Sequence, residues 1–221
     1  MWRYICWKEF LDWEGEPVAE LEFSVPLPVE YERGAVRMGR YYARMAAVWY
    51  RRWTGAFYRE ACIACSDARE NARPFWPWRA RLQGKETYED DRLCSMWMEA
   101  SERRGREAGH VIRTAMTWTR KTGYPLPMAD LFRHERGWRG QVLDRVREQL
   151  QPMREEGVSL WKDAERLAAA RFSASRFFLL PDGLGIYYPT GALGPNESGI
   201  IDFLLPLEGE NQTLDGQKNP E

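Results

Sequence analysis

Cys62 and Cys65 bracket a Cys-Ile-Ala-Cys run, the spacing of half a zinc site or of a dithiol redox pair. A structural zinc needs four ligands. The sequence holds no second CxxC and no HxxxH, so Cys6, Cys94, His110 and His134 complete a set only if the fold gathers them. A redox CxxC follows a strand and opens a helix. This pair falls late in a helical pattern, where a three-residue step puts both thiols on one face. Free, mostly buried thiols are the expectation, with Cys62 and Cys65 as the candidate metal ligands. The only histidines are His110 and His134. A Ser-His-Asp or Cys-His arrangement needs one of them, but no GxSxG accompanies them, and spacing alone pairs neither with a nucleophile.

The remaining chemistry-bearing runs carry less. Glu89-Asp90-Asp91 and Glu155-Glu156 pair carboxylates, but in expected turns and helix ends, where solvated charge is the ordinary reading. Gly183-Leu-Gly185 and Gly191-Ala-Leu-Gly194 open no helix, and no GxxxxGK[ST] occurs, so no nucleotide cofactor is expected. Asn196-Glu-Ser198 and Asn211-Gln-Thr213 match a glycosylation sequon, which has meaning only in a secreted protein.

The elements that must position these residues follow from hydrophobic period. Residues 2–10 and 18–25 read as strands joined by a turn at Glu14-Gly15-Glu16-Pro17, with Pro26 and Pro28 stopping the second. Over residues 31–71 the period becomes helical: Tyr42, Met45, Trp49, Trp53 and Phe57 form a stripe, with arginines largely elsewhere on the wheel. Gly55 weakens this helix by about 1 kcal/mol relative to Ala, and Asn71 and Pro74 end it. Residues 76–86, 92–101 and 111–119 read as strands, 138–153 and 161–170 as helix, and 176–180, 184–188 and 201–205 as short strands. Pro181-Asp182-Gly183 signals a hairpin. Residues 208–221 are polar and expected to be disordered.

Composition bounds the function classes. The chain has 221 residues, 32 Lys+Arg against 33 Asp+Glu, and a net charge of −1. That balance excludes a nonspecific nucleic-acid binder. A mean hydropathy of −0.61 and the want of any window of about 18 apolar residues exclude a membrane-spanning helix. Eleven tryptophans argue against a disordered chain and for a packed core flanked by arginine stems. Charges interrupt the apolar start Met1-Trp-Arg-Tyr-Ile-Cys-Trp-Lys, so no secretory signal is read there. The expected location is cytoplasmic as the chain stands, or extracellular if a leader or anchor has been removed.

Four stretches, in order, carry a resemblance. They are Gly105-Arg-Glu-Ala-Gly-His110, Trp118-Thr-Arg-Lys-Thr-Gly123, Pro125-Leu-Pro-Met-Ala-Asp-Leu-Phe132, and the run from Phe177 through Pro181-Asp-Gly183 to Tyr188. The last continues through Pro195, Gly199 and Ile201-Asp-Phe-Leu-Leu-Pro206. From about residue 105 to 207 the chain resembles the C-terminal domain of the RsiV-type anti-sigma-factor family. This is a bacterial domain of unknown function that also occurs near PdaC-type peptidoglycan deacetylases. The resemblance implies scaffold roles: Gly123 at positive φ in a tight turn, Asp130 capping the next helix or bracing the turn before it, and Leu131 and Phe132 packing the helix on the sheet. It also implies binding rather than catalysis, since RsiV-type domains bind lysozyme by inserting loops into its cleft. The corresponding binding loop here is residues 189–196, with Pro189, Gly191, Pro195 and Asn196 as candidates and His110 as a turn or interface candidate. This loop lacks the Pro-x-Tyr common in the family, so an aromatic anchor is missing.

The expected class is therefore α+β: an antiparallel sheet packed by one long N-terminal helix and a second, C-terminal helix region. Residues 1–207 are read as one domain with subdomains 1–104 and 105–207. The expected function is a non-enzymatic binding module for a protein or glycan ligand, a lysozyme-like partner included, with no nucleic-acid or membrane partner. A cell-wall or peptide hydrolase using His110 or His134 is the alternative.

Overall fold

The computed structural model describes residues 2–30, 32–132 and 136–206. Its architecture is α+β: a six-stranded sheet in the order of the chain, and a three-stranded one beside it. Strands β1 (Trp2–Trp13) and β2 (Glu16–Pro28) form a hairpin whose two-residue loop, Glu14-Gly15, has both φ angles positive, at 51° and 83°. That is the turn whose twist matches paired strands. Pro26 and Pro28 do not stop β2; they lie inside it, paired with Tyr4 and Trp2. The physical reason is on the other side of the strand. The β2–β3 ladder ends at Ser24, so beyond it β2 needs no N–H facing β3 (Trp78–Glu89), and proline is tolerated.

The helical stripe forms as the period requires. Helix α1 (Arg33–Arg52), a π turn (Trp53–Phe57) and α2 (Tyr58–Glu70) run continuously between β2 and β3 and make their join parallel, the one parallel pair in the large sheet. Gly55 falls inside the π turn, where one extra residue rephases the helix. Trp53 and Phe57 are thereby buried together against Phe23 and Trp78. Tyr42 is buried too, and its hydroxyl accepts a hydrogen bond from Trp118 Nε1 at 2.8 Å. Asn71 ends the helix by donating to the Asp67 carbonyl and carboxylate. The tryptophans divide: Trp53, Trp78 and Trp118 are core, while Trp7, Trp76 and Trp161 are exposed.

Strands β3, β4 (Leu93–Arg103), β5 (His110–Thr119) and the two-residue β6 (Tyr124–Pro125) complete the sheet antiparallel. Gly123 adopts φ +65°, as its turn requires, and also lies against Gly34 at the start of α1. A Cβ on Gly34 would run into the Arg120 carbonyl oxygen, and one on Gly123 into that of Gly34. The β5–β6 turn and the helix N-terminus thus touch backbone to backbone.

The second layer begins with α3 (Met128–Leu131) and α4 (Trp138–Glu155). Asp130 is not the cap of α4. It lies inside α3, and the N-cap is Gly137 at φ 89°. Leu131 and Phe132 pack against the second core, with Phe132 stacked on Trp138. Val142, Val146 and Leu150 are buried at the expected spacing. After α5 (Ala164–Arg171), strands β7 (Phe177–Leu180), β8 (Gly183–Tyr188) and β9 (Ile201–Pro206) form the small antiparallel sheet. The turn between β7 and β8 is Pro181-Asp182; Gly183 is already paired with Leu180. Gly185 lies under the Phe178 ring, where any side chain would collide.

Strand β7 ties the two sheets together. Ser95 Oγ of β4 shares a hydrogen bond with Thr117 Oγ1 at 2.9 Å and accepts one from Leu179 N at 2.8 Å, all buried. Gln149 of α4 donates to Leu204 O and accepts from Leu204 N, filling the outer edge of β9 with a side-chain amide. The sequence's expected disordered tail, 208–221, lies outside the described residues.

Candidate functional site

Strand β5 pairs with β4 along its length but with β6 only at Trp118 and Thr119. Its other edge has no strand partner from His110 to Met116, since the Thr117 carbonyl already accepts from Leu126 N at 2.7 Å, and outward backbone groups need partners there. Side-chain hydroxyls supply several. Tyr187 OH donates to Arg113 O at 3.2 Å and accepts from Ala115 N at 3.3 Å. Thr190 Oγ1 donates to Val111 O at 3.5 Å. Burial raises the Tyr187 phenol above its ordinary value, against the bond from Ala115, so it keeps its proton as a donor.

A cleft of about 1050 Å³ wraps this edge. On the helix side it is bounded by Trp49 and Arg52 of α1 and Glu102 of β4, and on the other by Arg176, Tyr187, Pro189, Thr190 and Asn196. His110 stands in register with Glu102 and is exposed; Ile112, two residues on along the same face, is 55 % exposed. Glu102 accepts from Arg52 Nε at 2.5 Å, Arg52 Nη2 at 2.9 Å and Trp53 Nε1 at 2.9 Å. Burial works against its charge, but these donors outweigh it and hold the carboxyl below its ordinary range.

Arg113 is the most enclosed cation of the cleft. It pairs with Glu99 at 2.6 Å and Asp202 at 2.5 Å, and its guanidinium lies over Trp97 and against Tyr187. Burial pushes the Asp202 carboxyl up, and Arg113 opposes that shift. Arg104 pairs with Glu60 at 2.6 Å. The site is therefore a cleft with apolar walls at Trp49, Ile112 and Pro189, in which Arg52, Arg104 and Arg113 are held by carboxylates and Arg176 donates to the Arg171 carbonyl.

The loop 189–196 is anchored from below. Arg171 Nη1 donates to Gly191 O at 2.9 Å and Ala192 O at 2.8 Å, and Leu193 O accepts from Trp161 N at 2.8 Å. Leu193 is fully buried. Gly191 takes φ +76° and approaches Asn196 Oδ1. Of the expected binding residues, Pro189 and Asn196 share the cleft with His110. Gly191 lines a separate hollow with Arg171 and Phe172, and Pro195 begins a short 3-10 turn. His134 lies outside the described residues.

The other candidates stand elsewhere. Cys65 is buried on α2, where burial raises its thiol, and Cys62 is half-buried beside it. Cys6 is exposed, contrary to the expectation of mostly buried thiols: it sits on an outer strand. Cys94 is buried, and burial pushes it up to about 12 despite the Trp2 indole N–H at 3.2 Å. Among the described residues no three His, Cys, Asp or Glu side chains are grouped to hold a metal ion. Asp90 is structural: its Oδ1 accepts from Arg92 N and Leu93 N, closing the β3–β4 turn. Sequence reasoning missed Arg52, Glu102, Ile112, Arg113 and Tyr187. Helical period for Arg52 and strand alternation for the others were their only signals, and neither says which strand edge is left open.

Residues 129–208 match the sequence model of a family described as "Protein of unknown function (DUF3298)". Two solved structures share the fold. A DUF3298 family member from Bacteroides fragilis has a TM-score of 0.68 at 12 % identity, over 93 % of this chain and 90 % of that one. A DUF3298 family protein from Pseudomonas aeruginosa gives 0.61 at 13 %, with the same coverage. No curated protein matches the chain. The likeness of fold covers 93 % of this chain and so extends well beyond residues 129–208. The chain thus has the fold of these DUF3298 family proteins and, over residues 129–208, a match to that family's sequence.

Proposed function

We propose that the protein is a non-enzymatic binding module whose ligand lies in the cleft along the open edge of β5. One observation carries this reading: His110, Ile112 and the loop residues Pro189 and Asn196, distant in sequence, line one cleft beside an unpaired strand edge. A long cleft with apolar walls suits an extended protein segment or a glycan chain. Two cleft hydroxyls, Tyr187 and Thr190, are committed to backbone carbonyls of β5, so neither is poised beside His110 as a nucleophile. The anchored loop supports a preformed surface, which lowers the ordering cost of binding. The RsiV-type resemblance makes lysozyme the first partner to try and cell-wall glycan fragments the second.

Titration calorimetry with lysozyme and with glycan fragments tests the reading. Ile112→Arg, which puts a charge on the exposed apolar wall, is expected to weaken binding at least tenfold. Ile63→Arg, on an exposed position of α2 that is 69 % accessible, is expected to leave it unchanged. Binding of neither probe, or equal binding by the Ile112 variant, overturns it.

A further inference from the structure

The molecule treats its strand edges unequally. At β5 two hydroxyls and β6 serve the outward backbone groups, and at β9 the Gln149 amide does. Strand β1 is the outer strand at the other end of the large sheet. Among the described residues no strand pairs with its far side along its 12 residues. It contains no proline, and it exposes Ile5 at 43 %, Trp7 at 36 % and Phe10 at 56 %. A bare, long, partly apolar edge is a template for another strand.

We propose that this edge is a self-association surface: a second copy of the chain adds antiparallel along β1, with the two-fold axis at Cys6. The charge pattern selects both the occupant and the register. With the axis at Cys6, Arg3 faces Glu9 of the partner subunit, and Glu9 faces the partner's Arg3. Between them Ile5 meets the partner's Trp7 on the same face of the sheet. Moving the axis to Trp7 sets Ile5 opposite Glu9 of the partner subunit, and moving it to Lys8 sets two lysines together. An axis at Ile5 sets Arg3 opposite Trp7 of the partner subunit, away from the partner's Glu9. Among the described residues of one chain no ion pair forms at Arg3, and Glu9 accepts from Tyr50 OH at 3.4 Å, so both side chains can reach across the edge. The two six-stranded sheets become one, and the apolar edges leave water.

Analytical ultracentrifugation of the full chain tests this. The native protein is expected to sediment at twice 26.0 kDa at micromolar concentration. Arg3→Glu and Glu9→Arg are each expected to raise the dimer dissociation constant at least tenfold by setting like charges opposite one another. The double variant is expected to restore it to near the native value. Both positions lie on an edge strand, so circular dichroism should remain native throughout. A short bis-maleimide should join two native chains through Cys6, in a Cys62→Ser background, and fail to do so in the Arg3→Glu variant. A monomeric native chain, single variants that dimerise as the native does, or a double variant that stays monomeric overturns the proposal.

Discussion

Glu102 shows how a single side chain is set by its neighbours. In sequence it is one acid among 33; in the fold it faces His110, takes two bonds from Arg52 and one from the buried Trp53 indole. Its carboxyl therefore titrates below the ordinary value of 4.5. The pairing contributes its full stability above 4.5 and loses it as the pH falls through the lower folded value. Urea unfolding of the native chain and of Glu102→Gln, compared at neutral pH and below 4.5, is expected to show a smaller acid-side loss for the variant. Ser95 makes the same point without charge: its hydroxyl accepts from Leu179 N inside the core, which no local pattern around residue 95 foretells.

Elements were the most legible level. The 3.6-residue stripe from Tyr42 to Phe57 located a helix that spans Arg33–Glu70, and Val142, Val146 and Leu150 placed the buried face of α4. Local rules misled where a tertiary neighbour changed what the backbone needed. Prolines 26 and 28 stay in β2 because β3 no longer pairs with it there. Gly55 reads as a weak point but sits in a π turn that brings Trp53 and Phe57 onto the sheet. Gly34 gave no signal, yet the β5–β6 turn leaves no room for a side chain there. Gly34→Ala is expected to cost about 1–3 kcal/mol, the scale of a forced overpacking, read as a lowered midpoint in thermal unfolding.

At the scale of the molecule the large sheet has two ends with different tasks. The β5 end is wrapped by the cleft, and the β1 end presents a bare edge. Because three strands separate β1 from β5, pairing along β1 leaves both clefts of a dimer open. Arg3→Glu is accordingly expected to keep the native cleft affinity in calorimetry while it loses the dimer. Ligand binding that falls along with dimerisation would show that the two ends are coupled.

Composition, period and turn chemistry determined the class of fold, the long helix, the helix over residues 138–153 and the final hairpin. These depend on interactions within a few residues of one another, where burial and backbone geometry repeat with a fixed step. The match of residues 129–208 to the DUF3298 family model falls within the stretch where ordered motifs are legible in the sequence, for the same reason. Only the tertiary structure decided that His110 and the loop 189–196 share one cleft, that Cys62 and Cys65 stand apart from it, and that β1 and the two-residue β6 are the outer strands, which leaves most of one β5 edge without a strand partner. Strand order and edge exposure arise from pairing across up to about 90 positions of sequence, such as Arg113 with Asp202, and a one-dimensional period carries no record of which edge remains unpaired.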